Sequence, residues 1–193
     1  FAVNEKGVVN TGNNIRALHR PDGMPRQILA RAALNAASLD EAITILTSSP
    51  RAGAFHHTLG QMGDRRLFSV EATGTGCSVT PLRDVFAHAN HLIHPQLDAV
   101  EQVITDSSRS RQQRLNAWVE TQSHLDGAAA LGILSDQHDP ALPIYRLSPH
   151  DPDEENTLAT AIFTLSASQI KWQIFTHDRQ KPVFQQEYPA ALR

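Results

Sequence analysis

Two spacings of apolar residues predict the regular elements of the chain. The opening stretch FAVNEKGVVNTGNN alternates and predicts a β hairpin around the turn NEKG, where Gly7 supplies a positive φ. Four short segments between Ala54 and Asn90 predict an antiparallel meander, because Gly, Asp and Pro separate them; they are AFHHTLGQ, RLFSVEA, GCSVTPL and DVFAHAN. TLATAIFTL and IKWQIFT predict a second hairpin, with Ile170, Trp172 and Ile174 on one face.

Helical spacing of apolar residues separates these strands into groups. It predicts one helix from Pro25 to Ala37, followed by a second that begins at a capping box formed by Ser38 and Glu41. Two later helices are predicted in SRSRQQRLNAWVETQ and LDGAAALGILSDQ. Because strands and helices are segregated, the pattern favours an α+β fold over a parallel doubly wound sheet.

Composition narrows the class of protein. The chain has 193 residues, 40% of them hydrophobic and 19% charged, which indicates a single folded domain over residues 1–193. A formal charge of -3 provides no basic surface for a nucleic acid partner. No apolar run approaches the roughly 20 residues that span a bilayer, so we expect no membrane partner and a cytoplasmic location. One cysteine, Cys77, excludes an intrachain disulfide and a Cys-rich zinc site.

The segment FAHANHLIHP concentrates candidate chemistry. Its histidines, His88, His91 and His94, suggest a metal site, but in a strand the middle one would face away from the other two. We therefore expect structural histidines and no bound metal. Asn90 has two interpretations: an amide that donates a hydrogen bond to a developing oxyanion, or an ordinary turn residue.

Other candidate sites carry weaker signals. No G-x-S-x-G elbow marks a serine nucleophile, and Cys77 has no basic neighbour in GTGCSV that would lower its pKa. The acidic stretch HDPDEEN lacks the ligand spacing of a calcium loop. Arginines at the start of a predicted helix, Arg109, Arg111 and Arg114, are either solvated or bind an acidic substrate group.

Several stretches in a fixed order resemble the acyl-coenzyme A:isopenicillin N acyltransferase family, autoproteolytic cysteine hydrolases whose nucleophile is the N-terminal residue. They are NEKGVVNTGNN, MPRQILARAALNAASLDEAITIL, AHANHLIHP, DSSRSRQQRL, ILSDQHDPALPIYRL and the final NTLATAIFTLSASQIKWQIFTHDRQKPVFQQEY. The resemblance covers nearly the whole chain. It implies a four-layer αββα sandwich of two antiparallel sheets between helical layers.

The resemblance also implies a mechanism. A cysteine freed by self-cleavage attacks an amide or thioester carbonyl, with its own α-amino group as the base and no cofactor. Oxyanion stabilisation then falls to Asn90, and substrate binding to Asn13 and Arg111. The expected partners are a small acyl-amide or acyl-thioester substrate and a companion N-terminal fragment.

The sequence departs from the family pattern at informative places. The nucleophile and the first strands are expected to precede Phe1, which has no nucleophilic side chain. Tyr145 stands where cysteine is frequent, Gln137 separates Asp136 from His138, and Ala89 replaces threonine before the asparagine. The main hypothesis is thus an amidohydrolase or acyltransferase whose cysteine lies outside this chain. The alternative is a degenerate member that acts as a binding or structural module.

Overall fold

The computed structural model describes residues 1–122, 125–147 and 154–189. These residues form two compact units. The first consists of Phe1–Arg83 with Asn90–Ile104, and the second of Asp84–Ala89 with the described residues from Thr105 onward. Each unit has its own sheet and helices, and each is described by itself. The single domain over 1–193 stays a prediction.

The first unit is built on a five-stranded antiparallel sheet. Its strands occur along the chain as β1 (Ala2–Val3), β2 (Val8–Ile15), β5 (Ala54–Gln61), β6 (Leu67–Ala72) and β7 (Cys77–Leu82). They are ordered β1-β2-β5-β6-β7, so each strand pairs with the one before it in this series. A short parallel pair, β3 (Met24–Pro25) with β4 (Arg51–Ala52), lies apart from this sheet. The predicted N-terminal hairpin and the strands in AFHHTLGQ, RLFSVEA and GCSVTPL are confirmed.

The N-terminal hairpin turns on an asparagine and a glycine. Asn4 Oδ1 accepts from the amides of Lys6 and Val8, and Gly7 has a φ of 78°. Asn4 Nδ2 donates to the carbonyls of Leu34 and Ala36 at 3.1 and 2.7 Å. One side chain thus closes the turn and ties it to the segment between the two helices.

Helices cover one face of the first sheet. They are α1 (Arg26–Ala32), which runs into a 3-10 turn at Ala33–Asn35, and α2 (Leu39–Thr47). Ser38 caps α2 as predicted, because its side chain accepts from the Glu41 amide at 3.2 Å. We call the covered side the helix-side face; its core consists of Val8, Leu29, Ala33, Ala36, Leu39, Ala42, Leu46, Leu59 and Val70.

The opposite face, which we call the polar face, carries a different set of side chains. Strand register places Asn13 opposite His56, His56 opposite Glu71, and Glu71 opposite Ser78. Paired residues of an antiparallel sheet point to the same side, so these four share the polar face. A second apolar cluster lies at one end of this face, formed by Ile15, Ala17, Ala54, Leu92 and Leu97.

The second unit combines two helices with a three-stranded antiparallel sheet. The helices are α3 (Asp106–Val119) and α4 (Gly127–Ile133). The strands are β8 (Thr160–Leu165), β9 (Gln169–Phe175) and β10 (Phe184–Pro189), ordered β10-β9-β8. Register pairs Phe163 with Trp172 and Trp172 with Gln186, which confirms the predicted second hairpin. Antiparallel sheets with four α-helices in the described chain agree with the predicted α+β class.

The predicted strand in DVFAHAN is wrong, because residues 84–90 form an irregular segment. The reason lies in a side chain of α3. Gln112 Oε1 accepts from the Ala89 amide at 2.7 Å, while its Nε2 donates to the Ala87 carbonyl at 3.0 Å. A glutamine amide presents the same donor and acceptor as a backbone peptide, so it replaces the partner strand that the pattern predicted.

Candidate active site

Asn13 lies in the middle of β2 on the polar face, half-buried. Its amide nitrogen is 3.4 Å from His56 Nδ1 on the neighbouring strand. An amide nitrogen only donates, so this contact makes Nδ1 the acceptor and leaves the ring proton on Nε2. The strand pairing of Asn13 with His56 fixes the two side chains on the same side.

Asn90 lies in a loop of the first unit and not at a strand end. Its Nδ2 donates to the carbonyl of Asn14 at 3.1 Å. Asn14 is the residue after Asn13 on β2, and 76 residues separate the two hydrogen-bonded positions along the chain. The structure therefore brings together two of the three predicted site residues.

A buried carboxylate fixes the loop that follows Asn90. Glu71 Oε1 accepts from the Ile93 amide at 2.7 Å, and Oε2 from the His94 amide at 3.1 Å, although the residue is fully buried. Gln102 holds the preceding residue, Leu92, at both its amide and its carbonyl, at 2.7 and 3.2 Å. Backbone amides satisfy the carboxylate, so burial of Glu71 is compatible with a stable fold.

Hydrogen bonds continue from Asn13 across the sheet in one direction. Since His56 carries its proton on Nε2, that nitrogen donates to Ser69 Oγ at 2.9 Å. Ser69 Oγ then donates to His94 Nε2 at 2.8 Å. In this arrangement the serine hydroxyl accepts from one ring and donates to the other.

The far end of this series reaches the loop after Asn90. His94 Nδ1 donates to Ser78 Oγ at 2.9 Å, and Ser78 Oγ donates to Gln96 Oε1 at 3.0 Å. His94 is therefore held at its backbone by Glu71 and at both ring nitrogens by serines. This buried network fixes the position of the Asn13 side chain relative to the first sheet. It does the same for the chain segment after Asn90.

The three histidines of FAHANHLIHP have different surroundings. His88 Nδ1 donates to the Ala89 carbonyl at 2.7 Å, His91 is buried, and His94 belongs to the network. In the described residues, no group of three His, Cys, Asp or Glu side chains could hold a metal ion. His56 and His57 point to opposite faces of the sheet.

Arg111, the third predicted site residue, belongs to the second unit. It lies on α3, where its Nε donates to Ser107 Oγ one turn earlier at 3.3 Å. Thr105 caps this helix by accepting from the Ser108 amide.

Cys77 lies on the other face of the first sheet. It pairs with Ala72 at the start of β7, which places it on the helix-side face, and its side chain is exposed. Asn13 faces the opposite side, so the sheet separates the two.

Tyr145, Asp136 and His138, which belong to the departures from the family pattern, form a structural cluster in the second unit. Tyr145 is buried, and its hydroxyl donates to the Thr176 carbonyl at 3.0 Å. Its backbone amide donates to the carbonyl of Asp136 at 2.9 Å. The Asp136 carboxylate pairs with Arg114 at 2.6 Å, and this hydrogen bond lowers the pKa of Asp136. The His138 amide donates to the same carboxylate.

Sequence reasoning did not single out Glu71, Ser69 or Gln102. Glu71 was open to detection, because a lone acidic residue in the apolar strand LFSVEA requires a buried partner. Ser69 and Gln102 have no comparable sequence signal, because their partners are distant in the chain.

The fold and site define a protein with antiparallel sheets, helices on one face of the first sheet, Asn13 on the polar face, and Asn90 bonded to the carbonyl of the residue after Asn13. A family model described as acyl-coenzyme A:6-aminopenicillanic acid acyl-transferase matches residues 1–179. The chain belongs to this family. A comparison with curated proteins gives no significant match. No helix in the described ranges has the length and apolarity needed to cross a membrane.

Proposed function

We propose that the chain is part of an amidohydrolase or acyltransferase that works through an N-terminal cysteine outside these 193 residues. The fold would be the four-layer αββα sandwich. The cysteine thiolate attacks an amide or thioester carbonyl, and the α-amino group of the same residue takes the thiol proton. Asn90 then donates a hydrogen bond to the tetrahedral oxyanion, without any metal or organic cofactor.

The observation that carries this proposal is the hydrogen bond from Asn90 Nδ2 to the Asn14 carbonyl. It holds the amide beside the strand that bears Asn13, whose own amide is oriented by His56. Amide donors fixed before the reaction stabilise developing charge most effectively, because they need no reorganisation. In the proposal, Asn13 and Arg111 bind the substrate.

The edge of the first sheet supports a preceding strand. β1 pairs with β2 at two positions, Ala2 with Asn10 and Val3 with Val9. In the described residues no strand lies beside residues 11–15 of β2 on that side. A strand that continued β1 backward in register would run past Asn14, the residue that accepts from Asn90.

The family description suggests the substrates. An acyl-coenzyme A thioester would donate the acyl group, and a small amine such as 6-aminopenicillanic acid would accept it. Water as acceptor would give hydrolysis in place of transfer.

The alternative is a binding or structural module without catalysis. The position of Cys77 supports keeping it, because the one cysteine of this sequence lies on the face opposite Asn13.

A mass spectrum of the complete gene product, with and without iodoacetamide, is the first test. We expect a fragment that begins with a labelled cysteine. Labelling at Cys77 alone, or none, would favour the binding module.

Turnover of acetyl-coenzyme A with 6-aminopenicillanic acid, followed by chromatography of free coenzyme A, is the second test. Asn90→Ala should lower kcat by about 10²–10³ with KM nearly unchanged. Asn35→Ala is the matched control, because Asn35 is exposed at the end of the 3-10 turn. Equal activity of wild type and Asn90→Ala would contradict the oxyanion role.

A further inference from the structure

The backbone that follows Asn90 is held by two side chains from other parts of the first unit. Residues 92–94 form neither helix nor strand, so no ladder of backbone hydrogen bonds sets their position. Glu71 accepts from the amides of residues 93 and 94, at 2.7 and 3.1 Å. Gln102 accepts from the amide of residue 92 at 2.7 Å and donates to its carbonyl at 3.2 Å. Three consecutive residues are thus fixed, beginning two positions after Asn90.

Glu71 belongs to the same row of the sheet as Asn13. Register pairs Asn13 with His56 and His56 with Glu71, so the carboxylate lies two strands from Asn13 on the polar face. At the spacing of neighbouring strands, the two backbone positions are about 10 Å apart. The loop that Glu71 holds is therefore fixed relative to the row of backbone that carries Asn13. Asn90 is tied to the same region, because its Nδ2 donates to the Asn14 carbonyl at 3.1 Å.

Burial makes these contacts difficult to exchange for water. Glu71 is 0% exposed and Gln102 is half-buried. If the loop moved away from Glu71, it would leave a buried carboxylate without its amide donors, which is among the most costly losses in a protein interior. The loop is therefore held in one position before any reaction begins. Effective stabilisation of an oxyanion has the same requirement, since the donor must not reorganise as the charge develops.

We propose that Glu71 is a positioning residue for Asn90, with Gln102 in the same role at the preceding residue of the loop. This role rests on the proposed function, in which Asn90 donates to the oxyanion. Glu71 and Gln102 do not touch the substrate; both act through the backbone that follows Asn90. A displacement of about 1 Å can cost about a hundredfold in rate, so a loosened loop should lower kcat and leave KM nearly unchanged.

The substitution Glu71→Gln tests this role, because it keeps the size of the side chain and replaces one acceptor by an NH₂ group that faces a backbone amide. Turnover of acetyl-coenzyme A with 6-aminopenicillanic acid is measured on the complete gene product. Rates are expressed per mole of self-cleaved protein in the intact-mass spectrum, so incomplete processing does not count as slow turnover. We expect kcat to fall about tenfold or more, with KM nearly unchanged. Glu5→Gln, the same change at an exposed glutamate of the first unit, should leave kcat unaltered.

A double-mutant cycle with Asn90→Ala separates positioning from a general loss of stability. If Glu71 acts through Asn90, Glu71→Gln should change kcat by less than about twofold once Asn90 is alanine. A purely structural role would lower kcat by the same factor in both backgrounds. Gln102→Met keeps the size of that side chain and removes both of its contacts to residue 92. The same cycle with Gln102→Met gives the answer even if Glu71→Gln fails to fold.

The outcomes distinguish failure of the positioning role from failure of the proposed function. If Asn90→Ala lowers kcat but the Glu71 and Gln102 variants keep the wild-type value, the positioning role is wrong and the proposed function stands. Equal factors in the two backgrounds of the cycle lead to the same conclusion. If the wild type shows no turnover, or if Asn90→Ala is as active as the wild type, the proposed function fails and the positioning role fails with it.

Discussion

Acid should destabilise the first unit through one buried histidine. Burial lowers the pKa of His57 from 6.5 to about 4. The folded unit therefore resists protonation of a ring that the unfolded chain protonates readily. Lowering the pH from 7 to 5 perturbs this balance directly, and His57→Leu removes the titrating group.

The direction and size follow from proton binding. Between pH 6.5 and pH 4 the unfolded chain binds more protons at this ring, so the free energy of unfolding falls as the pH falls. The contribution of neutral His57 to the free energy of unfolding is fully present above pH 6.5 and is lost between pH 6.5 and pH 4. At about 1.36 kcal/mol per pKa unit, the full loss is about 3 kcal/mol, of which about 2 kcal/mol is reached at pH 5.

Hydrogen exchange of the β2 and β5 amides, read by mass spectrometry at pH 7 and pH 5 and corrected for intrinsic rates, measures this loss. Amide exchange reads the first unit directly, whereas Trp118 and Trp172 both lie in the second unit. The wild type should lose about 2 kcal/mol more than His57→Leu between the two pH values. Loss of the bond to Asn10 lowers the stability of the variant at both pH values and cancels in this difference. An equal loss of unfolding free energy between pH 7 and pH 5 in wild type and His57→Leu would refute the reasoning. His19→Leu, a change at an exposed histidine, is the control.

Three substitutions test the packing of the fold by thermal unfolding. Arg51→Ala should lower the free energy of unfolding by about 3 kcal/mol, because the buried guanidinium donates to four backbone carbonyls at 2.5–3.0 Å. Arg65→Ala is the control, and an equal effect of the two substitutions would contradict this role of Arg51. Gly74→Ala should also destabilise, because the added Cβ would collide with the ring of Pro21. Gly132→Ala should instead stabilise by about 0.5–1 kcal/mol, since it is helical and open space surrounds its Cβ position; the opposite order of the two glycine variants would contradict the structure.

Elements fixed by neighbouring residues were predictable from sequence. The first hairpin depends on Asn4 and Gly7, and the start of α2 depends on Ser38, all of which act within four residues. The segment 84–90 was not predictable in this way, because Gln112 replaces a partner strand from 23 residues away. A period-two pattern indicates an extended chain, but it does not say whether a strand or a side chain satisfies the backbone.

The candidate site, too, could be predicted only in part from the sequence. The family resemblance supplied Asn13, Asn90 and Arg111, but no local pattern indicated that Glu71 would hold the backbone beyond Asn90. A buried carboxylate becomes interpretable only when its donors are known, and these donors are amides more than 20 residues away.

Strand β5 places two histidines in different surroundings. His56 and His57 are adjacent and identical in type, yet strand geometry sends them to opposite faces. His56 is bonded at both ring nitrogens within the polar network, which orients Asn13. The Nδ1 of His57 lies 3.0 Å from Asn10 Oδ1 on the helix-side face. Because the backbone of β5 separates the two rings, the loss of stability in acid and the orientation of Asn13 should respond to different substitutions: His57→Leu should alter the first, and a change at His56 the second.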